Sequence, residues 1–283
     1  MNGIAQIGLP LDRCREADHR SYSGDRGFDE CQWRDRQYRL GVARRVATPR
    51  MAVGSAVDEA IGVIVGGGMP DVSGIVARIA ADESIQTERV DEMTVNAISL
   101  VRLFADEVYP DWPPVYAYQY QLHWMWEGVP CHAHVDVVFE DGTIGDLKTS
   151  GKRLETNRAD VDEQLTWYAW GMREVHGTLP PRVRFDGLIN ANPPADVRAW
   201  RPNATRPWHD LQWSRRGTVE LDALADTVRR RETVRRYLDE SGLHLTNGRS
   251  VAYACNGCPV RHACPAWAGY ELAQEEGDSS VAA

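Results

Sequence analysis

Lysine is nearly missing from this chain. Of 32 basic residues only Lys148 and Lys152 are lysines; the other thirty are arginine. Arginine is always protonated and its flat fork suits bidentate pairing, whereas lysine is a compact charge whose pKa moves on burial. A lysine kept at 148, directly after Asp146-Leu147, therefore points to a chemical requirement. Long apolar runs are missing as well. None approaches the roughly 20 residues of a membrane helix, and MNGIAQIGLPLDRCREADHR at the start lacks the apolar stretch of a secretory signal. The expectation is a cytoplasmic protein that makes no use of a membrane. Six cysteines, at 14, 31, 131, 255, 258 and 264, are too few and too uneven for a secreted disulfide framework. The glycines at 66–68 come with neither a Walker pattern nor a spaced GxGxxG, which argues against a phosphate-cradling loop. No internal repeat, helicase motor motif or base-reading motif is visible, so little sequence specificity toward nucleic acid is expected. The net charge of −9 argues against a wholly cationic binder. A local basic groove stays open, because charge is screened within about 8–10 Å at physiological salt.

What is present describes a soluble globular chain of 283 residues with 43% hydrophobic content. Residues 1–20 read as flexible, 21–271 as one domain and 272–283 as a disordered tail. A helix is expected over about Asp29 to Arg45, with Trp33, Tyr38, Leu40 and Val42 as its apolar contacts. GSAVDEAIGVIVGGG reads as a second helix, and residues 71–108 carry helical spacing. Strict alternation in VYAYQYQLHWMW puts Tyr116, Tyr118, Tyr120, Leu122, Trp124 and Trp126 on one strand face, better suited to a core than to stacking bases. CHAHVDVVF, TIGDLKT and VRFDGLINA are further strands. NRADVDEQLTWYAWGMREVHG is a helix with Asp160 and Glu163 at capping-box spacing and Gly177 as its stop. A long amphipathic helix runs to Gly242. Strands clustered centrally between helices indicate a mixed α/β or α+β fold.

The hairpin HVDVVFEDGTIGDLKTS carries the chemistry. A two-residue Asp141-Gly142 turn would send Asp136 and Asp146 to opposite faces. A three-residue loop, Glu140-Asp141-Gly142, places glycine at the left-handed last position that such a loop wants. In that register, which is the one expected here, Asp136 lies opposite Asp146 and His134 opposite Lys148. Opposed Cβ atoms about 4.5–5.5 Å apart let two carboxylates share one cation. Hard oxygen ligands favour Mg²⁺ or Mn²⁺, whose bound water is a better nucleophile toward a phosphate. D-x-K alone suits a solvated hairpin with an exposed salt bridge better. Sixteen residues on, however, Gln164 and Tyr168 share one helix face, and both can reach a phosphodiester backbone.

GSAVDEA (54–60), AHVD (133–136), DLK (146–148) and QLTWY (164–168), in this order, resemble the RecB-like branch of the PD-(D/E)XK nuclease superfamily, which includes CRISPR-associated adaptation exonucleases and the AddB nuclease domain. The resemblance implies a restriction-endonuclease-like core, a central mixed sheet flanked by helices, and a Mg²⁺- or Mn²⁺-dependent nuclease. Asp58, Asp136 and Asp146 would be metal ligands, Lys148 the catalytic lysine, and Gln164 with Tyr168 the DNA-contacting pair. Asp58 stands where the family often has histidine, and Ala133 where it has glycine. Glu59 could replace Asp58 if the helix were rotated, and His132 and His134 share the face of Asp136.

Cys255-x2-Cys258-x5-Cys264 by spacing alone suggests Zn²⁺ or an iron–sulfur cluster with a fourth ligand elsewhere. The resemblance supplies that ligand as Cys31, ahead of Cys14, and implies a [4Fe-4S] cluster stapling the N- and C-terminal regions, with Trp267 and Tyr270 around it. Arginines at 34, 36, 39, 44, 45 and 50, and at 229, 230, 231, 235 and 236, are solvated faces or a channel for single-stranded DNA. The leading expectation is a DNA exonuclease acting on single strands or ends in recombination, repair or CRISPR adaptation, with a helicase or recombinase as a possible partner. The alternative is a non-catalytic iron–sulfur DNA-binding subunit with a decayed nuclease centre; a redox protein is a third, weaker option.

Overall fold

The computed structural model describes residues 20–43, 47–191, 206–242, 255, 258–261 and 264. Cys14, Arg44, Arg45, Trp267 and Tyr270, and both expected tails apart from residue 20, lie outside the described residues. The chain divides into two compact units. The first comprises 1–7, 47–124 and 133–221, and the second 8–46, 125–132 and 222–283.

In the second unit α1 (Tyr22–Glu30) and α2 (Gln32–Arg39) replace the single expected helix. The break falls at Cys31, whose backbone is extended at φ −164°, ψ 105°. Its side chain packs with Cys258 and Ala43 against buried Trp33, Val260 and Cys264. Tertiary packing at one residue thus overrides helix propensity on both sides of it. Leu40 and Val42 lie beyond the end of α2 and are exposed rather than apolar contacts.

The first unit opens with α3 (Pro49–Val65), capped by the Thr48 side chain at the Met51 N–H. Proline at its first position needs no hydrogen-bond donor. Next come α4 (Val72–Asp82) and α5 (Val90–Leu103), the latter running on into a π-helical turn, Phe104–Val108. Ala56, Ala60 and Ile61 of α3, Val76 of α4 and Ala97 and Leu100 of α5 form a common core with Val137, Phe139 and Leu188 of the sheet.

That sheet has the order β1-β2-β3-β4-β5, with β1 (Val115–Trp126), β2 (Val129–Phe139), β3 (Ile144–Ser150), β4 (Val183–Ile189) and β5 (Trp208–Ser214). β3 pairs antiparallel with β2 and parallel with β4, and β5 returns antiparallel to β4, so the sheet is mixed as expected. The parallel step requires a crossover. It is made by α6 (Arg158–Val161) and α7 (Glu163–His176). These are two helices where one was expected: Asp162 leaves helical geometry and caps α7 through the Gln164 N–H, a role the spacing had given to Asp160. Gly177, at φ 74°, stops α7 as expected. α7 is anchored by Trp167 and Trp170, whose rings lie 5.4 Å apart and each 5.6 Å from Trp124. The last helix, α8 (Thr218–Ser241), is the long amphipathic one. No helix among the described residues is long and apolar enough to cross a membrane.

Candidate functional site

The hairpin takes the three-residue loop. Val137 pairs with Gly145 and Val138 with Ile144, and Phe139 and Thr143 close the loop at 2.9 Å. Gly142 has φ 82°, and the Asp141 carboxylate accepts the Thr143 N–H at 2.8 Å. Continued by one step, this register sets Asp136 across from Asp146. The regular ladder ends there, because the Asp136 carboxylate itself accepts the Leu147 N–H at 2.8 Å.

Asp146 is fully buried, and Lys148 Nζ lies 2.5 Å from its Oδ2. The contact is a close ion pair between the amine and the buried carboxylate. Lys148 Nζ also donates to Gln164 Oε1 at 2.9 Å. Gln164 Nε2 donates to the Tyr168 hydroxyl at 2.6 Å, and that hydroxyl donates to Asp146 Oδ1 at 3.3 Å. Four side chains therefore close a ring that runs from the amine through amide and phenol to the carboxylate. Gln164 and Tyr168 meet the amine and the acid rather than standing on an open surface; Tyr168 is buried.

Asp58 arrives from α3. Its Oδ1 accepts the Tyr118 hydroxyl at 2.6 Å, and Gln119 Nε2 lies 2.9 Å from both carboxylate oxygens. Gln119 has φ 52° within β1, a left-handed backbone that a non-glycine residue holds only when its surroundings enforce it. The irregularity breaks the expected alternation: Tyr118 turns to Asp58, while the exposed Tyr116 ring lies 6.3 Å from Tyr120. Of the predicted aromatic face Leu122 and Trp124 are buried, and Tyr118 packs half-buried against the helical core. Two glycines bring α3 close enough for Asp58 to reach. A methyl on Gly54 would meet Thr149 Oγ1 at 3.1 Å, and one on Gly62 would meet the Tyr118 ring at 3.2 Å. Gly54, Asp58 and Gly62 share a helix stripe at spacing four, a signal present in GSAVDEAIG that the sequence reading missed. Glu59 faces elsewhere and pairs with exposed Arg78.

Charge confirms the convergence. Burial pushes the Asp136 carboxyl well up, and the Asp146 charge raises it further against the pull of Lys148. Burial also raises Asp146, opposed by Lys148. Asp58 is raised by burial despite the bonds from Tyr118 and Gln119. On Lys148, burial acts downward, but Asp146 and Asp136 outweigh it and hold the amine charged. Three crowded carboxyls raised together form a hard-oxygen donor set that a small divalent cation would neutralise. Lys148 now supplies the compensating charge. Among the described residues no three His, Cys, Asp or Glu side chains are already arranged to hold a metal ion. His134 is exposed.

In the second unit, Cys31, Cys258 and Cys264 share one apolar cluster. Burial raises the Cys255 thiol, with Cys258, Cys31 and Cys264 adding to the rise. The four predicted sulfurs are thus neighbours. Cys131 is buried in β2. The arginines expected to form a basic channel are largely paired with acids: Arg39 with Asp35 and Asp239, Arg231 with Asp29, Arg236 with Glu232, and buried Arg235 with Asp25.

A mixed sheet thus carries two acids and a lysine on its central hairpin and receives a third acid from α3, an arrangement of hard oxygen donors and one amine suited to phosphate chemistry. The comparisons agree. The PD-(D/E)XK nuclease superfamily model matches residues 28–265, and the chain belongs to that superfamily. The fold is similar to the crystal structure of a protein from Eubacterium rectale provisionally named an exonuclease. The TM-score is 0.61 at 15% identity, over 88% of this chain and 92% of that one. The solved structure of SSO0001 aligns more loosely, with TM-score 0.28 and 10% identity over 83% of this chain and 94% of that one. Among curated proteins none matches this sequence.

Proposed function

We propose that the chain is a Mg²⁺- or Mn²⁺-dependent deoxyribonuclease that works as an exonuclease on single strands or strand ends, in recombination, repair or CRISPR adaptation. The observation that supports this reading is the meeting of Asp58, Asp136 and Asp146 beside Lys148. The three carboxylates would hold the cation, which when bound supplies positive charge to a phosphate and a more acidic water. Lys148 would then leave its pairing with Asp146 to hold a non-bridging phosphate oxygen or to orient the attacking water. Gln164 and Tyr168 would fix the amine and Asp146 in place. A labelled single strand incubated with Mg²⁺ or Mn²⁺ should be shortened by the wild-type protein and left intact by Lys148→Ala, which should still bind it. Full activity of Lys148→Ala would remove this site from consideration. Binding without cleavage by the wild-type chain would favour the non-catalytic reading.

The four cysteines fit a thiolate-ligated group. We assign them a [4Fe-4S] cluster in preference to zinc, in a structural role. Such a clip closes more than 220 residues between Cys31 and Cys255, which by analogy with a disulfide is worth about 4–5 kcal/mol.

A further inference from the structure

A cavity of about 300 Å³ opens in the first unit where β3 runs past Lys148 into Thr149, Ser150 and Gly151. Arg50 and Arg89 stand in its wall, with Asn96, Asn190, Met93 and Leu100. No step assigned above uses any of these six side chains. Arg50 is exposed and belongs to the first turn of α3, eight residues before Asp58 on the same stripe. At 1.5 Å per residue the guanidinium's helical position lies about 12 Å from the carboxylate's. A methyl on Gly151 would meet the Arg50 guanidinium at 3.2 Å, so that residue's bareness gives the arginine its place beside the end of β3.

The cavity's polar groups are of two kinds. The guanidiniums and the positive N-terminal end of α3 suit a phosphate. Arg89 also pairs with Glu92 of the same wall at 3.3 Å, an exposed pair that water screens. The amides suit a base edge or a sugar hydroxyl. Asn190 is buried and donates to Asn96 Oδ1 at 2.9 Å, yet its own Oδ1 has no hydrogen-bond partner among the described residues. A buried carbonyl oxygen left without a donor is unusual enough to call for one. Met93 and Leu100, buried in the core, close the floor of the cavity with apolar groups. Guanidiniums, amides and an apolar floor in one space of this size suit a nucleotide.

We propose that this cavity holds one nucleotide of the substrate strand beyond the scissile bond, its phosphate toward Arg50 and Arg89 and its base toward Asn96 and Asn190. The proposal rests on the nuclease reading and gives the strand its direction along α3, from Asp58 toward Arg50. It also gives the enzyme a fixed distance at which a strand is gripped relative to the cut.

The test is the affinity of the full-length protein for a fluorescent thymidine decanucleotide, read beside cleavage of the same strand. Arg50→Glu should weaken binding about tenfold or more, raise KM and change the length of the smallest product. Arg50→Lys should recover part of the affinity. Arg102→Glu, an equal charge change on the exposed side of α5, should leave affinity within about twofold. Circular dichroism of each variant confirms that the fold persists. If Arg50→Glu binds as the wild type does while the wild type cuts, or if Arg102→Glu loses as much, the cavity assignment is overturned and the nuclease reading stands. If binding depends on Arg50 but no metal supports cleavage, the nuclease reading falls and takes the cavity's place beyond a cut with it, leaving a strand-binding cavity alone. If the wild type neither binds nor cuts, both fall.

Discussion

Lys148 Nζ donates to Gln164 Oε1 at 2.9 Å, while the other end of that amide donates to Tyr168. The amide orientation is therefore fixed from both sides, and with it the direction of the lysine. A glutamine first read as a contact for DNA is bonded to the amine that the chemistry needs.

Gln164→Leu removes the acceptor and leaves Lys148 held by Asp146 alone. A hydrogen bond to a charged group contributes about 1.5–3 kcal/mol, so kcat should fall about 10- to 100-fold at saturating strand. Gln164→Glu keeps an acceptor and should retain more activity. A rise in KM with kcat unchanged would instead make Gln164 a simple strand contact.

Gln119 aims at Asp58 from a left-handed backbone. Gln119→Gly removes the amide while suiting the conformation, and Gln119→Ala removes the amide and keeps the strain. Both should weaken activation by Mn²⁺ about 10-fold, the lower range for residues that orient metal ligands. The glycine variant should be the more stable of the two by about 1 kcal/mol. Unaltered Mn²⁺ titrations in both would dissociate Gln119 from the acid.

Asp186, in β4, adds a stabilising ion pair that acid removes. It is fully buried and bonded to Arg184 through Nε at 2.6 Å and to His209 at 2.8 Å. Burial pushes the carboxyl up, but His209 and Arg184 together hold it below its ordinary value of 3.8. A depressed folded pKa adds stability that is complete above the unfolded value and is lost as pH falls through the folded one. The urea midpoint should therefore drop below about pH 4 in the wild type, and less steeply in Asp186→Asn. At neutral pH that variant leaves Arg184 buried without its counter-charge, at a cost of about 3–5 kcal/mol. Parallel pH profiles would show that the pair does not govern acid stability.

On the proposed [4Fe-4S] assignment the wild type purified without oxygen should be brown and hold iron, and Cys31→Ser should lose the colour and most of the iron and melt at a lower temperature. Zinc in the colourless wild type would replace the cluster with a zinc site. Metal content unchanged in Cys31→Ser would pass the fourth position to another residue.

Gly171 lies where α7 meets the tryptophans. A methyl there would stand 2.9 Å from Trp124 and 3.1 Å from Leu122. Gly171→Ala should destabilise by about 1–3 kcal/mol, visible in thermal melts, although alanine is the better helix former. A rise in melting temperature would mean that the rings yield freely.

What could be read beforehand was whatever short-range geometry decides. Gly142 at the last loop position set the hairpin register, and Gly177 set the end of α7. The break at Cys31 and the cap at Asp162 escaped because packing and one backbone torsion, not local propensity, choose them. In β1 the alternation of aromatics was genuine in the letters, but a single left-handed residue at 119 re-aimed Tyr118. The Gly54-Asp58-Gly62 stripe was there to be seen. The bond network of Asp186 was not, because it joins β4 to β5 and to Trp112, partners no spacing rule connects.

The ring of Asp146, Lys148, Gln164 and Tyr168 is drawn from 23 consecutive residues. Its members can find one another while the chain is short, since near neighbours pay little loop-closure entropy. Asp58 belongs to a helix far upstream that must dock across the sheet before the last acid is delivered. A chain caught halfway through folding would therefore carry the amine and its partners without the third acid.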